Sequence, residues 1–434
     1  MIAPSARKWV WRFGIVLAVG LATLCLALFI ALPVFNFPQP VGPYAVGTLT
    51  YHWIDVNRQE VFSTEARARR ELMVQIWYPA KAGKQSSSQS SAPTPTSAPR
   101  DRYVQDADAL ANSFSRLTPL PKALFRQLKN VTTNAIPSAT VADDRPNYPV
   151  LIFLEGAMGF RQMSTFQVES LASQGYVVAA IDHPYTAASV VFPDGREVGA
   201  LPLNQMMPLI HQSYDPTAVA PTLNGRAFGQ GIVPYLAQDV GFTLDQLAAL
   251  NQSDPNALLT GRLNLLQVGT FGVSLGGIVG SEACRVELRL QACLFMDAPM
   301  PVEVVKSGLQ QPAMWITRDA ETMRLERSRS GGWPEAEITV HLASMRTVFE
   351  NLRGAGYFVQ VPDMFHINLT DIPYWSPALR WLRVIGPIDA YRAHDIVNAY
   401  TLAFFNRHLL DKTQALLEGP TSQYPEVIFD ARQR

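Results

Sequence analysis

From Tyr148 onward, short continuous apolar runs alternate with longer segments whose apolar residues recur every three or four positions. Val150–Leu154, Tyr176–Ile181, Ala292–Met296, Ala313–Thr317 and Tyr357–Val361 are runs of the first kind. They are too short for helices and read as strands buried on both faces. Between them, Phe166–Ser173 and Asp389–Leu410 carry helical spacing, as does Ile232–Leu250 with Leu236, Val240, Leu244 and Leu247 on one face. Ile338, Leu342, Met345, Phe349 and Leu352 mark a further helix. Strand and helix in alternation predict an α/β fold, a mostly parallel sheet with helices on both faces. Upstream, Ala45–Asp55 and Glu71–Tyr78 read as two more strands. Tyr103–Ile136 reads as helical pieces with Leu120, Leu124 and Leu128 on their apolar side.

Three stretches break this pattern. Phe13–Val34 holds no charge and only Thr23 as a polar interruption; at about 1.5 Å per residue it spans about 33 Å, enough for a bilayer core of about 30 Å. Arg7, Lys8 and Arg12 precede it and no charge follows before Asp55. That asymmetry predicts a single-pass anchor with a cytoplasmic N-terminus and an extracytoplasmic domain. A cleaved signal peptide is the alternative, though the run is long for one and no small-x-small site precedes Pro38. Residues 1–35 are thus the anchor and 36–434 one catalytic-type domain. Within that domain, 84–100 is a Ser/Pro/Thr-rich loop unable to bury enough surface to order itself. Residues 192–262 form a cap-like insertion near Leu201, Leu203, Met206, Met207, Leu209 and Ile210, either a lining for acyl chains or plain packing on the core.

The chemistry concentrates at Gly272-Val273-Ser274-Leu275-Gly276, which follows the apolar run 265–271 and precedes the small-residue segment Gly277-Ile278-Val279-Gly280-Ser281. Strand, sharp turn and helix in that order form the nucleophile elbow of the α/β-hydrolase fold. A serine hydroxyl needs a histidine base oriented by a carboxylate, and this fold orders them Ser, acid, His. Of seven histidines, His366 alone lies just past the last predicted strand. His52, His183 and His211 precede the expected position of the base. His341 and His408 fall in amphipathic helices and read as packed or solvated, and His394 opens the last helix. Two acids compete: Asp297 and Asp319 each end a strand, and strand position alone slightly favours Asp319. Either could instead be a loop aspartate bonding nearby N–H groups. One oxyanion donor is expected at the Leu275 N–H and the other in the loop 155–161.

Three segments then resemble one known family: Gly42-Pro43-Tyr44-Ala45-Val46-Gly47-Thr48, Gln75-Ile76-Trp77-Tyr78-Pro79, and the stretch from Leu171 to Ala180. They are similar to the platelet-activating-factor acetylhydrolases, plasma and type II, and their bacterial relatives. The resemblance runs from Gly42 to Leu410, excluding the low-complexity loop and much of the cap. It implies Ser274, Asp297 and His366 as the triad, Ala157 as the second oxyanion donor, and phospholipids with short or oxidised acyl chains as substrates. Two departures stand out, since the family usually has His where Glu155 and Val273 stand. A carboxylate beside an oxyanion hole opposes negative charge unless it points away or is protonated.

Composition narrows the alternatives. Lys+Arg and Asp+Glu both number 36, and no basic cluster interleaves with aromatics, so nucleic-acid binding has no electrostatic support. No His/Cys/Asp/Glu cluster has metal-ligand spacing, and the predicted chemistry needs neither metal nor organic cofactor. Cys284 and Cys293 are expected as buried free thiols on a helix and a neighbouring strand, in preference to a bridge. The leading expectation is a membrane-anchored serine esterase acting on a lipid or small ester. An acyltransferase on the same fold is one alternative. An inactive hydrolase-fold binding or scaffold protein is another, supported only by Glu155 and Val273.

Overall fold

A computed structural model describes residues 34–81, 99–117 and 122–432. The apolar run 13–34 and the stretch 84–100 lie outside them apart from Val34 and residues 99–100, as does Leu120. Among the described residues no helix is long and apolar enough to cross a membrane.

The frame is a ten-stranded sheet. In chain order its strands are β1 Ala45–Gln59, β2 Arg69–Ala80, β3 Ile136–Pro137, β4 Tyr148–Leu154 and β5 Val177–Asp182. They continue with β6 Leu263–Val273, β7 Ala292–Met296, β8 Ala313–Thr317, β9 Gly356–Gln360 and β10 Ile428–Arg432. Across the sheet the order is β10-β9-β8-β7-β6-β4-β5-β2-β1-β3. All pairs from β9 to β5 are parallel, while β10 and β2 join the ends of that block antiparallel. Seven helices matter below: α1 Thr165–Ser173, α2 Leu203–His211, α3 Val233–Gln252, α4 Leu275–Val286, α5 Ala320–Ser330, α6 Glu335–Asn351 and α7 Ala390–Leu410.

The period-two geometry of the strands divides the apolar residues between two cores. Val150, Ile152 and Leu154 of β4 face a core shared with Leu236 and Leu244 of α3, Ile278 of α4 and Phe349 of α6. Leu151 and Phe153 face the opposite core, with Leu171 of α1 and Val397 and Phe404 of α7. This double burial is why the strands read as unbroken apolar runs. Truncating Phe153, which is fully buried, would cost about 3–5 kcal/mol.

Several features differ from the sequence reading. α5 has no strong apolar period; it is set by its N-cap, Asp319, whose carboxylate accepts from the Thr322 N–H at 2.9 Å. The stretch 192–262 is not one unit. α3 packs onto the sheet as a covering helix, whereas α2 buries Met206, Leu209 and Ile210 in the same core and carries Met207 and Ile210 to a cavity beside Ser274. Its apolar residues thus pack on the core, and two of them also line that cavity.

The cysteine expectation is corrected. Cys284 and Cys293 form a disulfide, not two free thiols. They stand near the end of α4 and the start of β7, and the tight connection between those elements brings their Cα atoms to 6.6 Å, within bridging range.

Candidate active site

Ser274 sits between β6 and α4 with φ 56° and ψ −122°, a backbone state that costs energy for a residue with a side chain. The flanking glycines make it possible. A Cβ on Gly276 would lie 2.0 Å from the Leu154 carbonyl oxygen, and one on Gly272 would lie 2.4 Å from that of Gly276. The turn presents Ser274 to a cavity of about 80 Å³ lined by Ala157, Leu275, Asp297, Trp333 and His341, with Met207 and Ile210 of α2 closing one side. A wider cleft of about 910 Å³ lies elsewhere, lined by Ser113, Ser115, Arg116 and Glu197 but, among the described residues, by no histidine. The small cavity is the chemically competent one.

The two acids separate cleanly. Asp319 is turned to its own helix, taking Thr322 N–H and the Thr322 hydroxyl at 2.7 Å. Asp297, at the end of β7 with φ 47°, is fully buried and holds His366 Nδ1 at 2.5 Å through Oδ2. Its Oδ1 accepts from the Thr317 hydroxyl at 2.8 Å. Burial alone would push its carboxyl up, but the Arg318 guanidinium, with His341 and His366, outweighs this and holds it well below the usual carboxylate range. With Nδ1 engaged, the remaining ring nitrogen of His366, Nε2, is the one left for proton transfer, and the ring stays partly exposed.

The loop carrying His366 is tied down from below. His394, opening α7, is buried, contacts the Asn368 and Thr370 carbonyls through Nε2 at 2.9 and 3.0 Å, and pairs Nδ1 with the Tyr374 hydroxyl at 2.7 Å. Burial pushes its pKa down to about 4. Asp371 accepts the first N–H groups of α1, from Thr165 at 2.7 Å and Phe166 at 3.1 Å, satisfying donors that a helix start leaves orphaned.

The opposite wall is the loop 155–161. It is fastened to the segment after β5 by Met158 N–H to Thr186 O at 2.7 Å and Ala188 N–H to Gly159 O at 2.8 Å. At its far end the Arg161 N–H reaches Asp182 Oδ1 at 2.6 Å and the two side chains form a buried ion pair. Ala157 and Leu275 both line the cavity at Ser274, and among the described residues neither backbone N–H has an acceptor within the chain. Glu155 points away from them. Its carboxylate takes the His183 N–H at 2.9 Å and lies 3.0 Å from His183 Nδ1. Burial would lower the His183 pKa, but Glu155 and then Asp239 raise it. Asp239 is in turn clamped by Arg70 at 2.6 Å, and Arg70 holds Glu60 at 2.9 Å.

Sequence reasoning missed two neighbours of Asp297. His341 was expected to be merely packed or solvated; it is buried, but its Nε2 lies 3.4 Å from Asp297 Oδ1 and it lines the cavity. Arg318 has its Nε 2.8 Å from Asp297 Oδ2. The only signal for Arg318 was its position directly before the competing Asp319.

Comparison with known proteins places this geometry. The family model described as platelet-activating factor acetylhydrolase, isoform II, matches residues 30–419. A probable 1-alkyl-2-acetylglycerophosphocholine esterase of Arthroderma benhamiae is 24% identical over 411 residues, covering 91% of this chain and 94% of its own. The platelet-activating factor acetylhydrolase of Cavia porcellus is 23% identical over 412 residues, covering 88% of this chain and 81% of its own. Among solved structures, a ferulic acid esterase from Streptomyces cinnamoneus superposes with a TM-score of 0.66 at 26% identity, covering 91% of this chain and 99% of that one.

Proposed function

The chain belongs to the platelet-activating factor acetylhydrolase, isoform II, family and is a carboxylic ester hydrolase, and from that premise we propose a membrane-anchored serine esterase that removes short acyl groups from lipid esters. The observation that carries the proposal is geometric. Ser274, on its strained elbow, shares one small cavity with Asp297, whose carboxylate holds His366 at 2.5 Å.

In this reading Ser274 Oγ attacks the ester carbonyl carbon and its proton passes to His366 Nε2, while Asp297 stabilises the imidazolium. The N–H groups of Ala157 and Leu275 receive the negative charge of the tetrahedral oxygen. Collapse breaks the bond to the alcohol, which leaves with the proton from His366. Water then attacks the acyl-serine, giving its proton to His366, and the acid is released as Ser274 regains a proton. The orientation of Glu155 removes the main objection to this scheme, because its charge is spent on His183 rather than beside the oxyanion. The same observation weakens the inactive-scaffold reading, which then rests on Val273 alone.

The limited volume of the cavity, about 80 Å³, supports a short acyl group. The apolar run 13–34 and its preceding Arg7, Lys8 and Arg12 support anchoring with the domain outside the cytoplasm. The disulfide supports an oxidising compartment. The test is hydrolysis of p-nitrophenyl esters from acetyl to long-chain, of a 1-alkyl-2-acetyl phospholipid and of a feruloyl ester, with Ser274→Ala as control. Turnover that falls steeply beyond short acyl groups and vanishes in the variant is expected. A feruloyl preference would move the substrate toward that of the structural neighbour, and acyl transfer to an added alcohol exceeding hydrolysis would make the protein an acyltransferase.

A further inference from the structure

A triad needs one carboxylate and one imidazole, yet here a buried cation touches the carboxylate as well. Arg318 follows β8 with its side chain 2% exposed, and its Nε lies 2.8 Å from Asp297 Oδ2, the same oxygen that holds His366. Its Nη1 pairs with Glu326 of α5, and its guanidinium lies over the Trp333 ring at 4.8 Å. Glu326 also faces His366 directly, taking its backbone N–H at 3.3 Å. The Trp333 ring meets His366 edge-on at 5.3 Å and His341 at 4.6 Å. The arrangement joins three strand ends and two helices around one acid–base pair.

We infer that Arg318 and Glu326 are positioning residues that set the pH range over which the His366–Asp297 pair works, an assignment that rests on the triad proposed above. The physical reason is opposing charge on either side of the base. The Arg318 cation opposes formation of imidazolium on His366 and so keeps the base free at lower pH; the Glu326 carboxylate favours imidazolium and acts in the other direction. The other titratable groups facing the pair are His341 from α6, and Glu337, His211 and Tyr214 on the cavity wall. Asp319 acts on Arg318 from its capping position. Burial lowers the pKa of His341, and Arg318 and Glu326 are the charged side chains that touch the pair.

The test is the pH dependence of kcat/KM for p-nitrophenyl acetate with the full chain. Removing the cation in Arg318→Met should move the acid limb up by about one pH unit, so that activity is lost about tenfold on that limb. Glu326→Gln should move it down by a smaller amount. Arg318→Lys, which keeps the charge without the planar fork, should leave the limb in place while lowering kcat. Limbs that coincide in all three variants and the wild type overturn the inference, as does a Lys variant that shifts like Met. Should Arg318→Met fail to fold, Glu326→Gln carries the test, because Glu326 is partly exposed and the amide keeps an acceptor; an unmoved or raised limb there overturns it. Retention of activity by His366→Ala would instead overturn the triad, a separate result.

Discussion

Two buried ionic assemblies flank Ser274, and they use charge in opposite ways. On the acid–base flank, Asp297, Arg318, Glu326, His341 and His366 bring charge into contact with the groups proposed to react. On the proposed oxyanion flank, Glu155, His183, Asp239, Arg70 and Glu60 form a chain that leads charge away from the cavity and ends at Glu60. In the proposed scheme the first flank modulates a proton, whereas the second anchors a backbone. An oxyanion site works best with fixed dipoles and no neighbouring carboxylate, so a glutamate there is tolerable only when it is fully paired elsewhere. Glu155 is paired in this way, and it ties the first residue of the loop 155–161 to the end of β5.

The contrast can be broken outright at the nucleophile. Ser274→Ala and His366→Ala should each lower kcat by roughly 10⁴-fold or more, measured as p-nitrophenyl acetate turnover; residual activity near wild type would remove both flanks from the catalytic centre. A sharper cut compares substitutions at Glu155. Glu155→Gln keeps an oxygen for the His183 N–H and should leave kcat within about threefold of wild type or raise it. Glu155→Ala strands the His183 donors and should cost about 1–3 kcal/mol of stability with a clear fall in kcat. Equal and large losses of kcat in both, read by turnover and by urea unfolding, would mean that the carboxylate charge itself takes part in the reaction.

Smaller effects test the supports. The disulfide joins α4, which follows Ser274, to β7, which precedes Asp297. Cys284→Ser with Cys293→Ser should lower Tm by several degrees, from about 2–3 kcal/mol of lost constraint, with kcat at 25 °C nearly unchanged. A large kcat loss without a Tm change would make the bridge a determinant of site geometry instead. The smallest effect concerns His394 beneath the His366 loop. Its pKa is about 4 in the folded chain against an ordinary 6.5, so the unfolded chain binds the extra proton first. Its contribution to stability is present above about 6.5 and is lost as pH falls toward about 4. A Tm series from pH 7 to 4 should be flatter for His394→Asn than for wild type; parallel curves would exclude this role.

The period of the apolar residues was enough to read the parallel strands and their covering helices, because each strand of the central block is buried on both faces and each helix on one. The elbow was equally legible, since a strand, a Gly-x-Ser-x-Gly turn and a small-residue helix follow one another along the chain. The position of His366 followed from chain order. These are local requirements, written where they act. The choice between Asp297 and Asp319 was not local. Both follow strands, and only the packing of α5 made one a helix cap and left the other to receive His366. The pairing of Cys284 with Cys293, the outward turn of Glu155 and the approach of Arg318 and His341 to Asp297 were likewise hidden. Each depends on side chains from separate elements converging within a few ångströms, and distances of that kind are set by how layers pack rather than by any pattern along the chain.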